Sequence, residues 1–516
     1  MTLDRRTFIT VTGLGAAGAL IARQTPQPSG SASFELEEIT LAELQEGLQS
    51  GRFTSHALTE AYLARIESID KRGPAINAVI ELNPDALSIA AEMDRIPRRG
   101  PLHGIPVLIK DNIDTADRMH TTAGSLALAD SIAPRDSAVA AKLREAGAVI
   151  LGKTNLSEWA NFRSTHSTSG WSGRGGQTRN PYVLDRNPCG SSSGTGAGIS
   201  ANLAAAGVGS ETDGSVVCPS SACGLVGIKP TLGLISGAGI IPIAHSQDTA
   251  GPMCRTVRDA AILLSALAVK PRDYTQTLEV NGLRGARIGV ARKYFGINDA
   301  TDALMKDAID TIRKLGATIV DPADMATSGK YDDTEQEVLL YEFKADLNKY
   351  LSGLSAAVKT RTLADLIKFN EANRDREMPY FGQELFEKAE KKGPLTEEKY
   401  KKALARNHRM SRAEGIDAVL KKHKLDAIIT PTGGPVWPTD LVNGDHFTGG
   451  YSTASAVAGY PHITVPAGLA FGLPVGLSFF AGAWSEPALI KFAYAFEQAT
   501  KARRKPMYLP TIQLKA

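Results

Sequence analysis

Cysteine and histidine are scarce in this sequence, with four and nine copies among 516 residues. Four cysteines are too few for a scaffold held together mainly by disulfides, and they lack the C-x-x-C pairs or clustered histidines of a zinc site. We therefore predict buried free thiols rather than a metal site. The cysteines are Cys189, Cys218, Cys223 and Cys254.

Excess charge and long apolar runs are also missing. The 58 basic and 55 acidic side chains leave a net charge of +3, and the basic residues are spread along the chain. This balance argues against a nucleic-acid partner. A bilayer span needs about 20 consecutive apolar residues, and the apolar run over Val11–Ala22 is shorter than that. We expect no stable membrane span. The sequence does not indicate an oligomeric state.

The first residues have the pattern of an export signal. Arg5 and Arg6 precede Phe8 and the apolar run, and a stretch rich in proline, serine and glycine follows over residues 25–33. Paired arginines before a short apolar segment indicate the twin-arginine route, which carries folded proteins. We predict a signal and linker over residues 1–33 and a periplasmic or secreted protein. The alternative is a disordered or core-packed terminus on a cytoplasmic protein.

Helical and strand-like segments alternate beyond residue 34. Thr40 and Glu43 form a capping-box pattern, which predicts the start of a helix. Apolar runs over residues 104–109 and 148–151 predict buried strands, and a helix beginning at Asp136 or Ser137 lies between them. Such alternation is typical of an α/β layered core.

Two later regions differ in composition. Residues 170–251 are rich in glycine and serine with little periodicity, and we predict loops there. Residues 302–424 are charged and rich in helix-forming residues, which predicts a mainly helical insertion. That insertion is either a lid beside the core or a solvated face without function. Strand-like runs over 427–429 and 463–465 and a helix near 490–500 complete the chain.

Two motif matches are misleading. Residues 147–154 match the Walker pattern, but an apolar strand-like run lies between the two glycines where a phosphate loop would be needed. Residues 190–194 match the G-x-S-x-G nucleophile elbow, but no strand precedes them and no histidine downstream has a suitable context. We therefore expect neither nucleotide binding nor an α/β-hydrolase.

Several ordered motifs together carry a family resemblance. They are L-H-G-I-P through K-D-N (102–112), G-K-T-N-L-S-E (152–158), C-G-S-S-S-G-T-G-A-G (189–198), S-E-T-D-G-S (210–215), C-G-L-V-G-I-K-P-T (223–231) and G-L-P-V-G-L (472–477). By these motifs the sequence resembles the amidase signature family from about residue 41 to residue 500. The resemblance implies a mixed β-sheet core covered by helices on both faces, formed by residues 34–516.

The resemblance also implies the roles of individual residues. Ser215 matches the nucleophile, Ser191 the bridging serine after a cis peptide bond, and Lys110 the base, with Ser192 in support. The oxyanion hole would use the backbone N–H groups of Thr212, Asp213, Gly214 and Ser215. The chemistry is consistent, because a lysine can act as a base only when burial lowers its pKa from about 10.4.

Two positions depart from the family pattern. Asp213 replaces the first of two glycines before the nucleophile, a change that an aspartate backbone tolerates better than most residues. Val217 stands where many members have an arginine, and the loss of that cation argues against a small anionic substrate.

The variant motifs look most like those of bacterial peptide amidases. This similarity implies hydrolysis of the C-terminal carboxamide of a peptide to a free acid and ammonia, without a cofactor or a metal ion. The alternatives are an amidase for other aryl or alkyl amides, the amide-hydrolysing subunit of a glutamine amidotransferase, and a non-catalytic binding protein on the same scaffold.

Overall fold

The computed structural model describes residues 35–513, so the signal and linker predicted over residues 1–33 lie outside the described residues. Contacts divide the chain into Met1–Glu37 and Glu38–Ala516. Residues 35–37 of the first unit lie in a turn. The architecture that follows is that of the second unit.

A large sheet forms the centre of this unit. The strands of the described residues are β1 (Val79–Leu82), β2 (Pro106–Lys110), β3 (Val149–Thr154), β4 (Trp171–Ser172), β5 (Gly176–Gln177), β6 (Ala206–Glu211), β7 (Val226–Lys229), β8 (Thr249–Cys254), β9 (Arg287–Val290), β10 (Thr318–Val320), β11 (Ala427–Pro431), β12 (His462–Ala470) and β13 (Leu473–Phe480). Strands β4 and β5 form a separate small hairpin, and the other strands form the large sheet. The order across the large sheet is β1-β3-β2-β6-β8-β7-β12-β13-β11-β9-β10.

The sheet is mixed. Strand β2 pairs in parallel with both β3 and β6, and β9 pairs in parallel with β10 and β11. The pairs through the middle, from β6 across to β11, are antiparallel. In β2 and β6 every residue is buried, which is expected of strands covered on both faces.

Helices flank this sheet, as the α/β prediction required. They are α1 (Leu41–Ser50), α2 (Ser55–Arg65), α3 (Ala86–Met93), α4 (Ala138–Glu145), α5 (Ser193–Ser200), α6 (Val217–Ala222), α7 (Val257–Leu267), α8 (Asp299–Lys314), α9 (Asp332–Ser352), α10 (Leu363–Ala372), α11 (Arg374–Glu377), α12 (Glu384–Glu390), α13 (Glu398–Ser411), α14 (Asp417–His423), α15 (Thr453–Ala458) and α16 (Glu486–Thr500). No helix within residues 35–513 has both the length and the apolar character that a membrane crossing requires.

Local sequence explains several element boundaries. Thr40 and Glu43 form the predicted reciprocal capping box at α1. Ser137, rather than Asp136, caps α4 by accepting the N–H of Ala140 at 3.0 Å.

The prediction of loops over residues 170–251 was wrong in part, because this region contains α5, α6 and the strands β6, β7 and β8. Helix α5 is buried at every residue. A Cβ atom on Gly194 would come within 2.3 Å of the carbonyl oxygen of Ala78. Small residues here let a helix approach strands closely, a tertiary demand that local periodicity does not record.

The charged segment 302–424 is mostly helical and includes α9 to α14. It also contains β10, which pairs with β9 at the edge of the main sheet. Part of this segment therefore belongs to the core. Helix α9 buries Leu340 and Phe343 in a cluster that also includes Trp159 and Phe162.

Candidate active site

Lys110 ends strand β2 and is fully buried. Its Nζ lies 2.8 Å from Ser191 Oγ, and it also donates to Ser210 Oγ at 3.0 Å and to the Ser210 carbonyl at 3.2 Å. Burial lowers the pKa of Lys110 to about 7, although the carboxylates of Asp248 and Glu211 act in the opposite direction. A substantial fraction of this amine is therefore uncharged at neutral pH.

Two other lysines are fully buried among the described residues, and their contacts differ. Lys153 Nζ donates to the Ile113 carbonyl at 2.6 Å and to Thr121 Oγ1 at 2.8 Å. Burial lowers the pKa of Lys229 to about 8, and its Nζ donates to the Pro230 carbonyl at 3.2 Å. Lys110 therefore differs from both in contacting serine hydroxyls of the glycine- and serine-rich region.

Ser191 and Ser192 lie at the loop that leads into α5, and the Gly190–Ser191 peptide bond is cis, as the resemblance implied. Ser192 Oγ donates to the Ser210 carbonyl at 3.1 Å and accepts the Ser210 N–H at 3.2 Å. Ser192 therefore fixes this loop to strand β6, beside Lys110.

Ser215 follows β6 and precedes α6. Its carbonyl accepts the N–H of Ser192 at 3.2 Å, which joins its loop to that of Ser191. Within residues 35–513, the Ser215 hydroxyl forms no hydrogen bond with Ser191 in this structure. Ser215 lines a cavity of about 300 Å³ together with Gly190, Val217 and Trp437. The structure thus brings the predicted base, bridging serine and nucleophile into one region, where the backbone hydrogen bond from Ser192 to Ser215 joins the two serine loops.

The predicted oxyanion hole has donors available. In the described part of the chain, the amide N–H groups of Asp213, Gly214 and Ser215 have no hydrogen-bond acceptor. Gly214 has φ of +81°, a left-handed conformation that favours glycine. The Asp213 side chain is held away from these amides, because Ser452 Oγ and Thr453 Oγ1 both donate to its carboxylate, the latter at 2.7 Å.

Thr212 is held in place by side chains from the segment that precedes β8. Its Oγ1 donates to Asp248 Oδ1 at 2.6 Å, and its carbonyl accepts Gln247 Nε2 at 3.2 Å. The same Gln247 Nε2 donates to Glu335 Oε1 on α9 at 2.9 Å. The charged helical segment therefore supports the loop that precedes Ser215.

The prediction of four free thiols was wrong for two of them. Cys189 and Cys218 form a disulfide, whereas Cys223 and Cys254 are free and buried. Cys189 lies just before Ser191, Cys218 lies just after Ser215, and both line the cavity. The sequence separation of 29 residues hides this pairing, because it depends on the approach of two loops in the folded chain.

Sequence reasoning also missed four supporting residues. Ser210 Oγ accepts hydrogen bonds from Lys110 Nζ at 3.0 Å and from Asn112 Nδ2 at 2.9 Å. Glu211 Oε2 accepts the N–H groups of Val216 and Val217 at 2.7 and 3.0 Å, which fixes the chain after Ser215. Asn112, Ser210 and Glu211 lie inside motifs already recognised. Asp248 lies outside those six motifs.

Three side chains of types that can bind a metal ion lie together outside the Ser215 cavity. His245, Glu342 and Asp346 place possible ligand atoms within 4.8 Å of one another. The His245 ring already contacts both carboxylates, at 2.7 Å from Asp346 and 3.5 Å from Glu342. These contacts account for the cluster as ion pairs.

Known proteins share this fold and these motifs. A model of the Amidase family matches residues 57–490. A probable amidase of Arabidopsis thaliana is 42% identical over 506 residues, covering 93% of each chain. The solved structure of a peptide amidase from Stenotrophomonas maltophilia is 48% identical with a TM-score of 0.86, and covers 92% of this chain and 100% of that one. A glutamyl-tRNA(Gln) amidotransferase subunit of Thermoanaerobacter pseudethanolicus is 32% identical, over 92% of this chain and 99% of its own.

These matches and the mixed sheet define a hydrolase that acts on amide C–N bonds. The chain belongs to the Amidase family, the amidase signature enzymes.

Proposed function

We propose that this enzyme hydrolyses C-terminal peptide amides to free acids and ammonia, with Ser215 as nucleophile, Ser191 as proton relay and Lys110 as base. The observation that carries the proposal is the 2.8 Å contact between Lys110 Nζ and Ser191 Oγ, made inside a buried site next to Ser215. A weak hydroxyl nucleophile needs such a base within hydrogen-bond reach.

Acylation begins when Ser215 Oγ attacks the carbonyl carbon of the amide. Its proton passes to Ser191 Oγ, while the Ser191 proton passes to the lone pair of neutral Lys110. The N–H groups near Gly214 stabilise the negative oxygen that forms, and each such donor contributes roughly 3–4 kcal/mol to the transition state.

The C–N bond then breaks, and the proton returns through Ser191 to the departing nitrogen, which leaves as ammonia. Water then attacks the Ser215 ester and passes a proton through Ser191 to neutral Lys110; as the ester C–O bond breaks, that proton returns through Ser191 to Ser215 Oγ, which gives the acid and regenerates the hydroxyl. Atoms and charges balance without any further reactant.

The peptide amide substrate is supported by two observations. Identity to the peptide amidase is 48%, against 32% for the amidotransferase protein. The cavity beside Ser215 contains Val217 rather than a cation that would bind a small anionic substrate. Ammonia release from glutamine, the amidotransferase reaction, is therefore expected to be slow compared with release from a peptide amide.

We also infer that the enzyme acts outside the cytoplasm. Arg5 and Arg6 support export. The disulfide between Cys189 and Cys218 supports an oxidising compartment, where such bonds persist.

The test compares ammonia release from N-acetyl-phenylalaninamide, from glutamine and from an aliphatic amide. Ser215→Ala is expected to reduce the first rate by at least about 10⁴-fold. Ser352→Ala, at an exposed serine, is the matched control and keeps the rate. Release that persists in Ser215→Ala would exclude the proposed nucleophile, and glutamine as the best substrate would favour the amidotransferase reaction.

A further inference from the structure

Two carboxylates without an ion pair among the described residues line the cavity that contains Ser215, and one of them, Asp213, already accepts the hydroxyls of Ser452 and Thr453. Asp445 lines this cavity, on the loop that follows β11. Among the described residues, those that line the cavity include no lysine, arginine or histidine. Asp445 also has no salt bridge within residues 35–513. A carboxylate without a cation is unusual beside a reaction site, and a ligand group can supply the missing donor.

The two oxygens of Asp445 have unequal numbers of partners. Oδ1 accepts three donors: the Ser169 N–H at 3.1 Å, Asn187 Nδ2 at 3.1 Å and Trp437 Nε1 at 3.0 Å. Oδ2 makes one hydrogen bond, accepting the same Ser169 N–H at 3.0 Å, and the Ser169 hydroxyl also lies near this carboxylate. Each carboxylate oxygen can accept about two hydrogen bonds. Oδ2 therefore retains acceptor capacity, whereas Oδ1 is saturated by protein groups that fix the orientation of the carboxylate.

The surroundings of Asp445 suit an aminoacyl group. Trp437 and Phe447 also line the cavity, with ring centroids 5.5 Å apart in an edge-to-face arrangement. These rings offer an apolar surface for a side chain, next to an acceptor for a polar N–H. An aminoacyl amide carries both features on one carbon atom, the α-carbon adjacent to the carboxamide.

We propose that Asp445 is a specificity-determining residue whose Oδ2 accepts the N–H on the α-nitrogen of the residue that bears the carboxamide. The inference rests on the proposed function and makes it more specific, because it selects aminoacyl amides over simple amides of the same shape. The donor is either an acylated N–H or a free α-ammonium group, and the two share the same chemistry. An anionic group at this place is disfavoured, which also assists release of the acid product.

The experiment measures kcat/KM for four substrates with the full enzyme. They are N-acetyl-phenylalaninamide, its N-methyl derivative without the N–H, 3-phenylpropionamide without the nitrogen, and phenylalaninamide with a free ammonium. Loss of one hydrogen bond to a charged acceptor lowers kcat/KM by about 10- to 100-fold. We expect this loss for the N-methyl and des-amino substrates with the natural enzyme. The faster of the acetylated and free-amine substrates identifies the donor.

The variant Asp445→Asn removes the charge. Because Oδ1 is saturated with donors, the amide oxygen takes that position and the NH₂ group replaces Oδ2. We expect the variant to lose the preference for N-acetyl-phenylalaninamide while 3-phenylpropionamide is hydrolysed at its former rate. Asp440→Asn is the matched control, since Asp440 accepts the Val442 and Asn443 N–H groups in the same loop and does not line the cavity. Asp445→Ser serves as the second variant should the asparagine protein fail to fold.

The outcomes separate the two proposals. Equal kcat/KM for substrates with and without the N–H in the natural enzyme overturns the role of Asp445. A preference that survives in both Asp445 variants overturns it too, as does an equal loss on all four substrates, which indicates a structural role. Failure of the natural enzyme to release ammonia from any of them rejects the proposed function instead.

Discussion

Replacing Lys110 by methionine should abolish activity and yet stabilise the folded protein at neutral pH. The two side chains are similar in length, so methionine fills the same buried space without carrying a charge. The lysine is fully buried, and burial lowers its pKa to about 7 from an ordinary value of 10.5. The folded state therefore resists the proton that the unfolded chain readily binds.

The size of the effect follows from this difference in pKa. One pKa unit corresponds to about 1.4 kcal/mol, so protonated Lys110 costs the fold on the order of 5 kcal/mol below pH 7. Between pH 7 and 10.5 the unfolded state binds more protons, so this cost falls as the pH rises. Methionine also loses the hydrogen bonds to Ser191 and Ser210, each contributing about 1 kcal/mol. We expect a net gain in the free energy of unfolding of about 2 kcal/mol at pH 7.

Urea unfolding of both proteins at pH 7 and pH 9 measures this gain. The advantage of Lys110→Met should shrink by about 2 kcal/mol between the two pH values, because the cost in the natural enzyme is partly relieved at pH 9. Lys306→Met, at an exposed lysine paired with Asp310, controls for the loss of one positive charge and should show no such change. An equal advantage at both pH values would refute the buried-charge argument. In the natural enzyme, kcat/KM should rise with pH through about 7 as Lys110 loses its proton.

Three further variants test the parts of the site separately. In steady-state kinetics, Gly214→Ala should lower kcat by about 100-fold or more, with a smaller change in KM. The reason is that the added Cβ would lie 2.9 Å from Ser452 Oγ at a residue with positive φ, which displaces the backbone N–H groups of the oxyanion hole. An unchanged kcat would count against this loop as the oxyanion hole. Cys189→Ser should reduce stability by roughly 3–4 kcal/mol, as expected for a disulfide closing a loop of this size, and thermal unfolding should match that of the reduced natural enzyme. Glu211→Gln should shift the rise of kcat/KM with pH to lower pH, since the negative charge of Glu211 raises the pKa of Lys110. If the rise stays at the same pH, this carboxylate does not act on the lysine.

Local patterns predicted elements whose signal lies within a few consecutive residues. The capping box at Thr40 and the buried strand predicted over residues 104–109 were both confirmed, the strand as Pro106–Lys110. Helix α5 was missed, because its glycines and serines have weak helix propensity and the helix is stabilised by packing against the sheet and α6. The Cys189–Cys218 disulfide was missed for a related reason: two loops distant along the sequence meet only in the folded protein.

The sequence by itself determined the family, the mixed α/β core and the kinds of side chain available for the reaction, because these follow from ordered motifs and from local periodicity. Only the tertiary structure decided that Lys110 is fully buried with its Nζ 2.8 Å from Ser191 Oγ, and that Asp445, far along the chain, lines the same cavity as Ser215. The physical reason is that a low amine pKa and a free carboxylate oxygen depend on the removal of water and on the neighbours that the folded chain places around them. Those neighbours come from segments separated by scores of residues, and no local pattern records their approach.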